Sequence, residues 1–383
     1  MPSINRSLKI REKEKSLYST GFLKGQAIKK INFLFPGVPR ISSGGLKMVF
    51  EYANRLSQRG YEVGIIFNCE GGFYSKRMYI PRFIKEHILY PLLIRYYPKW
   101  FNLDSRVKKS FVTAINDNEI PEADAIIVTA VVSTPYVAKL SESKGKKIYF
   151  IQGFENWYED WPTERVMSTY RMGMKNIVVA KWLEEKVKEA GADCIVIPNS
   201  IDLKVFNIDI PIEERESHSI AMLYHTQPIK GAKYGLEALS RLKRKYPDLK
   251  VRLFGKPMRP SNFPRWIQYT HNATQKQLRE IYNLSAIFMC SSIQEGFGLT
   301  GAEAMACGAA YVSSDYGGVH EYAKHRRNAL LSNPRDVDAL VEHVSYLLDH
   351  PKERIRLAET GYRDIQQLDW EKSLDKFEQV LQL

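Results

Sequence analysis

Strand-like and helix-like segments alternate along this chain in two successive series, and that alternation limits the fold more than any other feature. From residue 30, "KINFLFPG" is a continuous apolar run closed by Pro-Gly, the pattern of a strand buried on both faces and ending in a loop. In "GGLKMVFEYANRLSQRGYEVGIIF", Leu46, Val49, Phe50, Ala53 and Leu56 recur at helical spacing, Gly60 closes the helix and "YEVGIIF" reads as the next strand. The Gly-Gly pair falls at the strand-to-helix turn, where backbone can pass closest to a ligand. Further strands are expected at "ADAIIVT", "KKIYFIQ", "NIVVA" and "CIVIPN", separated by helical stretches such as "AKWLEEKVKEAG". A parallel, doubly wound sheet accommodates this order.

After "PNSIDLKVFNID", the polar, aperiodic "IPIEERESHS" is a domain-boundary candidate, and a second series starts at once. It runs through "SIAMLYH", the helix "YGLEALSRLKRKYP", "LKVRLFG", the helix "TQKQLREIYNLS", "AIFMCSS", a helix opening near Leu299, and "AAYVSSD", followed by helices to the end. The fold class expected is therefore α/β, with two Rossmann-like doubly wound domains facing across a cleft. The expected division is a basic N-terminal extension at 1–29, an N-terminal domain at 30–202 and a C-terminal domain at 203–367. A closing helix at 368–383 is expected to pack back on the first domain. No internal repeat or low-complexity segment interrupts the pattern.

With 383 residues, the chain suits two domains of ordinary size. Its 44% hydrophobic and 26% charged residues make a globular balance, without the run of about 18 apolar residues that a membrane span needs. The first thirty residues have no apolar h-region, so no secretory signal is expected. Cys69, Cys194, Cys290 and Cys307 are far apart and fit neither a metal knuckle nor a disulfide framework, so a reducing cytoplasm is the expected compartment.

Chemistry concentrates in "EGFGLTGAEAMACG", residues 295–308, where Glu295 and Glu303 flank a glycine-rich turn. "AIFMCSS" is the strand before it, "IQEGFG" the loop at the carboxyl end of that strand, and "LTGAEAMACG" a helix closed by Gly308. Ligands in open α/β sheets bind beyond the carboxyl ends of the strands. Gly296 and Gly298 let backbone approach a ligand, and the start of the helix favours a diphosphate. Glu303, roughly one turn along at about 3.6 residues per turn, can reach a diol beside the phosphates. A molecule built as ribose, diphosphate and sugar would meet Glu303, the helix start and Glu295 in that order.

The segment "LREIYNLSAIFMCSSIQEGFGLTGAEAMACGAAYVSSDYGGVHEYA" resembles the donor-binding region of family-4 retaining glycosyltransferases with the GT-B fold. That family shows a Glu-Gly-Phe-Gly-Leu turn, a Glu-Ala-Met-Ala-Cys-Gly helix and a Gly-Gly-x-x-Glu, here Gly317, Gly318 and Glu321. Outside it, "IPNSID", with Asn199, is similar to the family's Pro-Asn-Gly-Val-Asp, "IKGAKYGLEAL" to its Lys-Gly phosphate loop and "LDWEKSLDKFEQVL" to its closing helix. The resemblance covers nearly all of residues 30–383.

It implies a nucleotide-diphospho-sugar donor (UDP-, dTDP- or GDP-linked), a glycan or lipid-linked acceptor in polysaccharide or glycoconjugate synthesis, and retention of configuration. No metal or other cofactor is implied, because positive side chains and a helix start do the work of a divalent ion. Glu303 would bind the ribose. Gly296, Phe297, Gly298, Leu299 and Thr300 would line the donor, with Asn199 nearby, and Gly44 and Gly45 would form the opposite wall. Glu295 would hold a hydroxyl of the transferred sugar and Lys230 would neutralise the departing diphosphate.

The pattern is broken in two places. Where the family has an arginine five positions before its lysine, this chain has His225, only partly charged at neutral pH. His225 itself, Arg252 or Lys256 would complete the phosphate clamp. A frequent family histidine has no match in "IIVTAVVSTPYV". On the acceptor side, "YFIQGFENWYEDW" offers Gln152, Glu155 and Asn156, and its Gln-x-Phe-Glu resembles a rhamnosyltransferase-type branch.

The net charge of +13 asks for an acidic partner. Basic residues cluster in the N-terminal extension and in residues 74–109, where they alternate with Tyr, Trp, Leu and Ile. That composition fits an anionic membrane surface, with peripheral attachment to the inner face. It equally fits a helical pair with a solvated basic face. A basic nucleic-acid-binding protein without transferase activity is the alternative reading, but the RRM, KH, zinc-finger and helix-turn-helix signatures are missing. A nicotinamide oxidoreductase would need a GxGxxG after the first strand, and there is none.

Overall fold

The computed structural model describes residues 29–70, 81–157 and 160–382. Residues 1–28 of the expected basic extension and residues 74–80 of the aromatic-basic stretch lie outside the described residues. Among the described residues, β1 (Lys30–Phe35), β2 (Glu62–Asn68), β3 (Lys108–Val112), β4 (Ala125–Val128), β5 (Lys146–Ile151), β6 (Lys175–Val178) and β7 (Cys194–Val196) form a first parallel sheet. Its order is β3-β2-β1-β4-β5-β6-β7. A second parallel sheet contains β8 (Ser219–Tyr224), β9 (Lys250–Gly255), β10 (Ile267–His271), β11 (Ile287–Cys290), β12 (Ala310–Ser314) and β13 (Ala329–Ser332). Its order is β10-β9-β8-β11-β12-β13.

The central strands are buried along nearly their whole length, as strands covered by helices on both faces must be, and this is why they read as continuous apolar runs. In each sheet the order reverses beside the first strand of the series, between β1 and β4 and again between β8 and β11. Neighbouring loops there leave the sheet in opposite directions and open a crevice at its carboxyl edge. The two crevices face each other.

Polypeptide passes between the sheets near residues 197–207 and returns near 366–370. The crossings are joined by the Ile201 N–H donating to the Leu368 carbonyl at 3.0 Å and by the Ser200 and Ser373 hydroxyls at 2.8 Å. Beyond the return, the helix Trp370–Gln382 lies on the helix Gly44–Gln58, with the Tyr52 ring against Trp370 and Phe377 at 5.1 and 4.6 Å. Arg59 adds ion pairs to Glu371, Asp375 and Glu378.

The polar "IPIEERESHS" is not a free linker. Ile212 is buried, and Arg215, 5% exposed, donates to the carbonyls of Ile210, Tyr282, Ser285 and Cys307. Burial pushes its guanidinium down to about 10.

Candidate active site

The loop after β8 and the loop after β11 meet at the C-terminal crevice. Ile293 N–H donates to the Ile229 carbonyl at 2.7 Å, drawing them together. Gly231 is held at φ +60°, and a Cβ there would lie 1.9 Å from the Ser291 carbonyl oxygen, so the Lys-Gly step needs its glycine. This closure brings Lys230 Nζ to 2.7 Å from Glu295 Oε2, while the Ser292 hydroxyl donates to Glu295 Oε1 at 2.9 Å. Lys230 and Glu295 are thus one partly buried ion pair.

The strand register decides which cation accompanies Lys230. Tyr224 on β8 pairs with Gly255 on β9, so His225 and Lys256 leave the carboxyl edge side by side. Burial, then the neighbouring Lys230 charge, push the Lys256 ammonium down to about 8. The His225 imidazole is also pushed down, first by burial and then by Lys230 and Lys256, and its Nδ1 accepts from Gln227 N–H at 3.0 Å. Arg252 points elsewhere, bonded to the Leu284 carbonyl and paired with Glu216, both at 3.0 Å. Of the two cations expected to supplement His225, the structure therefore corrects Arg252 and retains Lys256. The reason is that Arg252 sits low on β9, within reach of Glu216 near the start of β8.

Gly296, Phe297 and Gly298 turn the chain into the helix Leu299–Ala306, where Thr300 takes the second position. Gly298 has φ +91°, and a Cβ there would lie 2.1 Å from the Tyr316 hydroxyl. Beneath the turn three buried phenols are linked, Tyr311 to Tyr316 at 2.9 Å and Tyr316 to Tyr322 at 2.6 Å, and Tyr322 donates to the Gly298 carbonyl at 2.7 Å. The Phe297 ring packs on Tyr322. Glu303, one turn along and 4% exposed, accepts from the Tyr282 hydroxyl at 3.3 Å and from Lys47 Nζ at 3.0 Å.

Lys47 belongs to the other domain, in the first turn of the helix Gly44–Gln58, which the Ser43 side chain caps. Gly44 and Gly45 open that helix, Gly44 against the C-terminal wall and Gly45 against Gln152 of its own domain. A Cβ on Gly44 would lie 3.2 Å from Leu299 Cδ1, and one on Gly45 3.2 Å from Gln152 Cβ. Gln152, just past β5, also faces the C-terminal domain, its carbonyl oxygen 1.9 Å from where a Gly296 Cβ would sit. Its Oε1 accepts from Asn199 Nδ2 at 3.1 Å, leaving the buried Gln152 Nε2 and Asn199 Oδ1 without partners among the described residues. Buried polar atoms left this way in a cleft suit a polar ligand.

The remaining acceptor-side candidates diverge. Glu155 turns inward, its Oε2 accepting from Val131 N–H at 2.5 Å, and burial pushes its carboxyl up to about 7. Asn156 is exposed. Glu321, the acid of the Gly-Gly-x-x-Glu, accepts from Lys181 N–H at 2.7 Å and so joins the C-terminal domain to the start of the helix Lys181–Glu189. On that helix, Trp182 Nε1 donates to the Gly296 carbonyl at 2.9 Å, with its ring against Gly317.

Lys47, Trp182 and the three tyrosines are site residues that the sequence motifs do not single out. Lys47 carried a signal, because a residue two places beyond the Gly-Gly pair lies in the first turn of the helix that faces the cleft. Trp182 carried none, since its contact depends on how the domains meet.

Chemically, the crevice combines a buried carboxylate suited to hydroxyl groups, a group of cations suited to a phosphorylated leaving group, and one tight backbone turn between them. The family model for glycosyl transferases group 1 matches residues 209–364. Alpha-maltose-1-phosphate synthase of Mycobacterium tuberculosis is 35% identical over 30% of this chain and 32% of its own length. MMP alpha-(1->4)-mannosyltransferase of Mycolicibacterium hassiacum is 30% identical over 44% of this chain and 43% of its own. The chain thus spans less than half the length of these curated relatives. A crystal structure of Anabaena Alr3699/HepE in complex with UDP-glucose superposes with a TM-score of 0.68 at 13% identity, covering 92% of this chain and 99% of that one. The chain has the GT-B fold, and its residues 209–364 match the family model for glycosyl transferases group 1.

Proposed function

We propose that this protein transfers a hexosyl or deoxyhexosyl group from a nucleotide-diphospho-sugar to a glycan or lipid-linked acceptor, with retention, on the cytoplasmic side of cell-surface polysaccharide or glycoconjugate synthesis. The observation that carries the reading is the placement of Glu303 and the Lys230–Glu295 pair on either side of the single turn Gly296–Leu299, at the point where the strand order reverses. In this reading Glu303 accepts the ribose hydroxyls and the start of the Leu299 helix meets the diphosphate. Glu295 holds a hydroxyl of the sugar, and Gln152 and Asn199 offer it their unpartnered amide atoms. As the bond between the anomeric carbon and the diphosphate breaks, negative charge grows on the leaving group. Lys230, Lys256 and His225 stand where that charge develops.

The UDP-glucose bound by Alr3699/HepE and the glycosyl-transfer names of the sequence relatives support this class of donor. The Gln-x-Phe-Glu segment at Gln152 adds a deoxyhexosyl donor to those worth testing. Neither the matched family nor the fold favours the nucleic-acid alternative.

Hydrolysis of a panel of UDP-, dTDP- and GDP-sugars by the purified protein tests the reading. One donor should be consumed much faster than the others, and the Glu303→Ala variant should lose that preference. Consumption of none would remove the proposal. The anomeric coupling of the product, read by NMR, tests retention separately.

A further inference from the structure

The connection between β2 and β3 contains the helical run Arg82–Tyr96, which is apolar on two sides. Its inner side is accounted for: Tyr90 is buried on Phe111, and Leu93 and Ile94 pack on the N-terminal core. Its outer side carries Phe83, Ile84, Ile88, Leu92 and Tyr96, exposed by 68, 41, 53, 59 and 60%. Ile84, Ile88, Leu92 and Tyr96 recur in steps of four, which stay close to one side through the π-helical turn Lys85–Leu89 as through the α-helical ends, and Phe83 adjoins Ile84. Scattered exposed apolar residues are ordinary, whereas a contiguous stripe marks an interaction surface.

The run is firmly mounted. Glu70, just past β2, receives Lys85 and the Tyr90 hydroxyl, Lys109 donates to the carbonyls of Arg95 and Tyr97, and Trp100 Nε1 donates to the Pro39 carbonyl at 3.1 Å. Pro39 lies in the loop after β1, two residues before Ile41, itself 64% exposed and close in sequence to Gly44 and Gly45. The stripe is therefore fixed on the β2–β3 side of the sheet from whose carboxyl edge the cleft opens. Arg95 and Lys99 stand along the stripe, Lys99 over the Tyr96 ring, while Arg82 is paired with Glu86 and Lys85 with Glu70. Among the described residues no helix is long and apolar enough to cross a membrane.

We infer that this stripe is a docking surface for an anionic lipid bilayer, with Phe83, Ile84, Ile88, Leu92 and Tyr96 entering the headgroup boundary and the flanking basic residues meeting acidic headgroups. Apolar side chains lying level with a surface, beside cations and a tyrosine, are suited to that boundary. The anchored helix sets the approach, so a lipid-borne acceptor would reach the cleft along the same edge. That last step rests on the transferase reading, whereas bilayer binding does not.

The test uses the full-length protein and vesicles of phosphatidylcholine alone or mixed with phosphatidylglycerol. Flotation is expected with the mixed vesicles only. The double substitution I88Q and L92Q should lower partitioning by at least about tenfold, and R95Q with K99Q should remove most of the salt-sensitive part. Phe83→Trp should show a blue-shifted emission on mixed vesicles, which reports insertion without disturbing the other stripe residues. Thermal melting and donor hydrolysis should be unchanged in all variants, so lost flotation with intact donor turnover supports docking alone. Equal flotation of I88Q and L92Q with the parent would overturn the inference, as would an emission from the Phe83→Trp variant that mixed vesicles leave unshifted. So would a solution dimer that the same pair of substitutions dissolves, or binding of single-stranded nucleic acid tighter than vesicle binding at physiological salt.

Discussion

Lys47 Nζ lies 3.0 Å from Glu303 Oε1, and this ion pair bridges the two domains across the cleft. Both side chains are largely withdrawn from water, at 22 and 6% exposure, so the contact is better shielded than a surface pair. Each Glu303 oxygen holds one donor, Lys47 on Oε1 and Tyr282 on Oε2, so a ribose hydroxyl would take a remaining lone pair beside Lys47. Glu303→Ala should weaken donor binding by about 1.5 to 3 kcal/mol, the scale of hydrogen bonds to a charged group. Lys47→Met should lower thermal stability, because it leaves Glu303 buried and unpaired, yet leave donor affinity unchanged or tighter. Calorimetry and melting on both variants separate these effects. An affinity loss in Lys47→Met as large as that in Glu303→Ala would make Lys47 a donor ligand itself.

Charge on the departing diphosphate gives the second prediction. Lys230→Ala should lower turnover by orders of magnitude, as removal of a preorganised electrostatic stabiliser does. A loss below about threefold, well short of that range, would mean that other cations suffice. His225→Arg places a fixed positive charge beside Lys256 and should remain active. An inactive, folded His225→Arg enzyme would show that the neutral ring is required.

In the transferase reading, Lys256 should make donor binding depend on pH. Its ammonium is held down to about 8 by burial and the Lys230 charge, so the free protein sheds this proton as pH rises through that value. A bound diphosphate favours the charged form and raises the pKa, so binding above about 8 must take up a proton and affinity must fall as pH climbs. Calorimetry in buffers of different ionisation enthalpy should detect that uptake in the parent and not in Lys256→Met. Equal uptake in both would place the titrating group elsewhere.

The phenol chain beneath Gly298 braces the turn proposed to meet the donor. Tyr322→Phe removes the hydrogen bond to the Gly298 carbonyl while keeping the ring against Phe297. Because the turn is proposed to meet the donor and not the acceptor, KM for the donor should rise severalfold with little change in KM for the acceptor. Tyr316→Phe should act the same way, more weakly, since its hydroxyl packs on Gly298 but hydrogen-bonds to the turn only through Tyr322. A uniform fall in kcat with both KM values intact would point to a merely structural role.

Much of this arrangement was legible in the sequence, for a physical reason. Strands covered on both faces read as apolar runs, so β1, β4, β11 and β12 announced themselves, and the glycines at 44, 231 and 298 marked close approaches of backbone. The strands β3, β10 and β13 were not foreseen. Each lies at a sheet edge: β3 and β10 carry exposed positions in "KKSFV" and "IQYTH", as strands paired on one side can, while β13 is a mostly buried "ALLS" only four residues long. The pairing of Glu303 with Lys47 and of Gly296 with Trp182 could not be read locally, because each joins residues more than 100 positions apart across the domain interface. Glu155 was placed on the acceptor side from its position after a strand. Its carboxylate instead faces Val131 inside the domain, a choice of rotamer that sequence does not record.

That inward turn of Glu155 has a measurable effect on stability. Burial raises its carboxyl from an ordinary value near 4.5 to about 7, so between those values the folded chain holds a proton that the unfolded chain has released. Stability from this group is full below about 4.5, falls as pH rises towards 7 and stays reduced above it. At about 1.36 kcal/mol per pH unit of separation, the reduction is at most on the order of 3 kcal/mol. Glu155→Gln keeps an acceptor for Val131 N–H but cannot ionise, so its stability should exceed that of the parent at pH 8 and match it near pH 5. Denaturant unfolding of both proteins at the two pH values measures the difference directly, free of the other titrating groups they share. A variant that is less stable than the parent at pH 8 would mean that the ionised carboxylate gains more from the Val131 N–H than burial takes away.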